Sequence, residues 1–113
     1  MPDPITPVAP LLSEAIIDTN DADTVLVAGV AGKIIKVYQL FIVQADDATL
    51  TFKSASTALC GALPMLANGS VFMAYTTAPW FTTADGADFV LSQSSTVQVS
   101  GRLYYLQLPT PQG

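Results

Sequence analysis

The chain has 113 residues, half of them hydrophobic and only 12% charged, with a net charge of −5. That length can bury one core without disulfide or metal staples, and its four basic residues exclude the clustered cations that nucleic acid requires. No apolar run reaches the roughly 18 residues of a membrane-spanning helix, and the start MPDPITPVAPLL lacks the charged head and long apolar centre of an export signal.

The expectation is therefore a soluble product of a cytoplasm. Charged residues normally make up roughly 25% of a soluble domain, so the deficit favours self-assembly, although Thr, Ser and Gln can supply polar surface. The lone cysteine, Cys60, permits neither an internal disulfide nor a zinc cluster and reads as a small buried hydrophobe.

In chain order, Pro2, Pro4, Pro7 and Pro10 come first and fix an extended arm over residues 1–12. Its plain reading is a frayed terminus, and its sharper one an arm over a neighbouring subunit. EAIID and TVLVAG are short strand candidates. Between them, Asp18, Asp21 and Asp23 fail the calcium-loop pattern, because the fifth, sixth and twelfth positions counted from Asp18 are Ala22, Asp23 and Gly29. An irregular calcium site there stays open beside a polar loop.

KIIKVYQLFIVQ is the longest strand and is apolar on both faces. Strict alternation puts Ile35, Val37, Phe41 and Val43 on one side and Ile34, Tyr38, Leu40 and Ile42 on the other, so it lies between layers or at a subunit contact. Asp46-Asp47 reads as a solvated hairpin turn. ATLTFKS follows with Leu50 and Phe52 inward, then a short TALC.

SVFMAYT places Val71, Met73 and Tyr75 on one face, and Asn68-Gly69 before it marks a turn, although Asn68-Gly-Ser70 matches a glycosylation sequon. TAPWFTTADG reads as a plug closing one end of the fold, with Trp80 inward and Phe81 outward beneath a neighbouring subunit. ADFVLS turns Phe89 and Leu91 inward. In TVQVSGRLYYLQL, Val97, Val99, Leu103 and Tyr105 face the core, Tyr104 projects from the polar face, and Gly101 suggests a bulge or bend. No helical period is sustained. The pattern predicts one all-β domain over residues 13–108: an antiparallel, jelly-roll-like β-sandwich of about eight strands, followed by a tail over 109–113.

The chain has no histidine, which removes the commonest general base, the usual triads and the most versatile metal ligand. Asp85 and Asp88 flank a turn and a strand start, where local hydrogen bonding is their expected work. No Gly-rich phosphate loop opens a helix. The expectation is a protein without catalytic residues, cofactor or metal.

The order AGKIIKV, ALPMLANGSVFMAY, PWFTTADG and FVLSQSSTVQVSGRLYY resembles a group of small virion proteins of tailed bacteriophages. The matching positions are residues 31–37, Asn68-Gly69, residues 79–81, Gly86 and residues 97–101, and the likeness spans residues 30–106. It implies a virion structural component, a capsid decoration (cement) protein: a small β-fold, often trimeric, that bridges subunits of the major capsid protein on the capsid surface.

The interface residues expected are Pro2, Pro4, Pro7 and Pro10 of the arm, Ile34, Tyr38, Leu40 and Ile42 of the two-faced strand, Phe81 and Tyr104. The partners are then a homotrimer and the major capsid protein, without nucleic acid or membrane. The rivals are a tail or fibre module that binds a host-surface glycan or receptor, and a head-completion protein.

Overall fold

A computed structural model describes residues 12–111, so the four arm prolines lie outside the described residues. Ten strands form two antiparallel sheets packed face to face, with no helix among the described residues. They are β1 (Ser13–Thr19), β2 (Asp23–Val27), β3 (Lys33–Gln44), β4 (Ala48–Ser54), β5 (Thr57–Ala58), β6 (Leu63–Met65), β7 (Ser70–Met73), β8 (Phe81–Thr82), β9 (Phe89–Gln93) and β10 (Val99–Pro109).

The first sheet runs β1-β10-β3-β7, with β8 also on β3; the second runs β2-β9-β4-β5, with β6 also on β4. β7 and β8 occupy successive stretches of the free side of β3, and β5 and β6 do the same on β4. Counted as one interrupted edge each, these pairs reduce the order to 1-8-3-6 over 2-7-4-5. That is the jelly roll expected from the sequence, with its two late edge strands broken. Pro64 suits such an edge because it needs no donor on the outer side.

Turn chemistry fixes the corners. Lys33 N donates to Val30 O across Gly32 (φ 82°), and Ala87 N donates to Ala84 O across Gly86 (φ 72°). Each turn needs a left-handed third residue, which glycine adopts without steric cost. Asn68 (φ 61°) fills the same position between Leu66 and Gly69. β3 and β4 lie in different sheets, so Asp46-Asp47 makes a corner between the sheets rather than the hairpin turn expected; there Asp46 Oδ1 accepts from Asp47 N and Asp47 Oδ1 from Ala67 N, both at 2.8 Å.

The core contains Ile17, Ile35, Val37, Leu40, Ile42, Leu50, Phe52, Phe89, Leu91, Val99 and Leu103, joined by Phe81. Three rings meet in it: Phe52–Phe81 at 5.1 Å, Phe52–Phe89 at 5.7 Å and Phe81–Phe89 at 5.6 Å between centroids. Cys60 packs partly buried against this core.

Phe81 thus points inward, contrary to the sequence expectation, and Trp80 is 48% exposed. Pairing decides this. Phe81 sits opposite inward-facing Val37, while Thr83 N donates to Ile35 O and Ile35 N to Thr83 Oγ1, so odd positions of this segment face in. Trp80 N donates to Val37 O and its Nε1 to Ala74 O at 2.8 Å, leaving the indole on the rim. The segment does close the sandwich, with the other ring.

Gly101 marks no bulge. The β10 register runs regularly through it, and a Cβ there would overlap the Phe41 carbonyl of β3. Glycine is required because two backbones approach closely.

Candidate interaction surface

The bulge lies at Tyr38. Tyr104 pairs with Gln39, but Tyr105 pairs with Val37, so Tyr38 has no partner of its own on β10. One extra residue reverses every later side chain. Ile35 and Val37 face the core before it; Leu40, Ile42 and Gln44 face the core after it. The two-faced assignment from strict alternation is corrected accordingly. Leu40 and Ile42 are fully buried, and Ile34 is buried as well, so these residues and Phe81 are packed within the chain rather than offered as an interface.

The same reversal turns Phe41 (41% exposed) and Val43 to solvent. Phe41 stands opposite Phe72 of β7 on one side and Arg102 of β10 on the other, and Arg102 stands opposite Ile16 of β1. A continuous row, Ile16–Arg102–Phe41–Phe72, therefore crosses the outer face of the four-stranded path, ending in Ile16 at 72% and Phe72 at 67% exposure. The row beside it reads Asp18–Ser100–Val43–Ser70, and the row on its other side includes Glu14–Tyr104–Gln39. Large apolar groups scattered singly on a surface need no explanation; here three share one row, Phe41 and Phe72 on neighbouring strands and Ile16 beyond Arg102, as an exposed patch.

Arg102 has one acidic neighbour on this face. Glu14 Oε2 lies 3.7 Å from its Nη1. A hydrogen bond to Tyr104 and the Glu14 carboxylate raise its pKa further above the ordinary arginine value, so the group is cationic at every working pH. Asp18 accepts from Gln98 Nε2 at 2.7 Å, and Gln98 Nε2 also reaches Ser100 Oγ at 3.1 Å, which orders the neighbouring row.

Of the sequence-predicted interface residues, Tyr104 lies on this face as expected, and Tyr38 is half-buried at the bulge, its ring stacked on Tyr75 with centroids 5.9 Å apart. Ile16, Phe41 and Phe72 were missed. Alternation marks two of them, since Ile17 and the pair Val71 and Met73 face the core; Phe41 required knowledge of the bulge.

The opposite sheet carries a second feature. A depression of about 370 Å³ on its outer side has Val25 and Val90 for a floor, with Asp23, Asp88, Lys53 and Ser56 around it. Asp88 Oδ1 is held by Gly29 N at 2.6 Å. A further hollow of about 440 Å³ beside β8 is lined by threonines and alanines, with Leu59.

Asp18 and Asp23 belong to different sheets, and no three acidic, histidine or cysteine side chains gather as a metal site among the described residues.

No protein-family model, curated protein or solved structure matches this chain.

Proposed function

We propose that this protein is a non-enzymatic structural component of a tailed-bacteriophage virion, a capsid decoration protein that binds the major capsid protein and stabilises the head. The observation that carries the reading is the row Ile16–Arg102–Phe41–Phe72: a rigid jelly roll with an apolar stripe on one sheet face is built for contact. The motif order that resembles small phage virion proteins supports it. In this reading the proline-rich arm over residues 2–12 adds contact on a capsid or sister subunit.

The test uses heads assembled without this chain. Incubated with the purified protein, they should bind it to saturation and withstand heating that ruptures undecorated heads. Heads that neither bind nor gain resistance would exclude a cement role.

A tail or fibre module binding a host-surface glycan is the second reading. The depression around Lys53, Asp23 and Asp88 favours it, because polar groups over an apolar floor are what a sugar ring engages. Its sign is reproducible glycan binding that is lost in Lys53→Ala.

A further inference from the structure

We propose that the outer face of the β1-β10-β3-β7 sheet binds a second copy of this chain, about a two-fold axis parallel to the strands and passing between β10 and β3. The inference rests on the order of residues across the face; it uses the same row as the virion reading, but not the family resemblance, and assigns that row to a sister copy rather than to the capsid.

A two-fold contact must be self-complementary. Rotation about this axis reverses each row onto its own copy. Ile16 then meets Phe72 of the second copy, and Arg102 meets its Phe41, each pairing made twice. Apolar groups cover apolar groups at both ends. In the centre, a guanidinium with Glu14 beside it lies over an aromatic face, a favourable cation–π arrangement.

Neighbouring rows agree. Asp18 reverses onto Ser70 and Ser100 onto Val43; in the next row Tyr104 reverses onto Gln39. Each of the polar pairs, carboxylate with hydroxyl and phenol with amide, can hydrogen-bond, and no like charges are opposed.

Charge distribution points the same way. The chain is −5 overall, yet this face sets Glu14 and Asp18 against Arg102 and Lys36, the last outward on β3 between inward Ile35 and Val37. The excess acid lies elsewhere, so two copies repel least when they approach through this face. The three-fold assembly implied by the family resemblance is the alternative that the measurement separates.

Sedimentation equilibrium of the purified chain should give a dimer, and Arg102→Glu, which sets a carboxylate over the Phe41 ring beside Glu14, should weaken self-association at least tenfold. Phe41→Ser with Phe72→Ser should be monomeric, with a cooperative melt showing that the fold survives. A monomeric or trimeric parent protein overturns the proposal.

Cross-linking fixes the axis. In a Cys60→Ala background, Ile16→Cys mixed with Phe72→Cys should be joined by a short bis-maleimide. Ile16→Cys alone should not, because its two copies lie at opposite ends of a row of roughly 14 Å. Efficient linkage of Ile16→Cys to itself places the axis along the row and also overturns the proposal.

Discussion

Phe41 and Phe72 stand opposite one another across β3 and β7, both turned away from the core. Their orientation follows from a single unpaired residue, Tyr38: alternation carried on from Val37 through a paired Tyr38 would turn Phe41 to the core and Leu40 to solvent. The contact surface and the core are thus set by one device.

Deleting Tyr38 tests that dependence. With Tyr38 gone, Val37 and Gln39 become consecutive opposite Tyr105 and Tyr104, so β3 alternates regularly and Ile35, Val37, Leu40 and Ile42 all stay inward. Circular dichroism should therefore still show a cooperative thermal transition. Deleting Lys36 from the regular stretch instead makes Ile35 and Val37 consecutive, so one of them must leave the core at about 2–5 kcal/mol, and the melting temperature should fall sharply.

Phe81 and Trp80 should differ sharply despite being neighbours. Phe81→Ala removes one ring of the three-ring cluster and should cost about 3–5 kcal/mol in urea unfolding. Trp80→Ala removes a half-exposed ring and one hydrogen bond to Ala74 O, for roughly 1 kcal/mol. Equal losses would contradict the inward placement of Phe81.

Gly101→Ala should destabilise by about 1–3 kcal/mol, because β10 must move away from the Phe41 carbonyl to admit a methyl group. A neutral substitution would show that the two strands do not approach so closely.

Gln44 is fully buried, and its Nε2 donates to the Asp46 and Ala48 carbonyls at the corner where the chain passes from β3 to β4 in the other sheet. Gln44→Ala leaves those acceptors without this donor and should cost about 1–3 kcal/mol. Hydrogen exchange should localise the loosening to residues 44–48.

The class of fold was legible because most strands are half-buried and alternate, and because Gly32, Asn68 and Gly86 are turn residues at the positions that need a left-handed backbone. What local pattern could not reveal was parity set from a distance. β3 is apolar on both faces, so nothing within it marks where alternation breaks; the break appears only in pairing with Tyr104 and Tyr105, far along the chain. The Trp80–Phe81 choice failed similarly, since ring size favours the indole while the pairing of Phe81 with Val37 selects the phenyl. Two short edge strands, β6 and β8, escaped notice because two or three residues beside a proline or in a turn-rich stretch carry no period.

The virion reading is tested most directly by locating the protein on a particle. Gold-labelled antibody against this chain should decorate the heads, at regularly spaced positions, in electron micrographs of particles made by the genome that encodes it. Label confined to tails or fibres, or particles without label, would contradict a capsid decoration role.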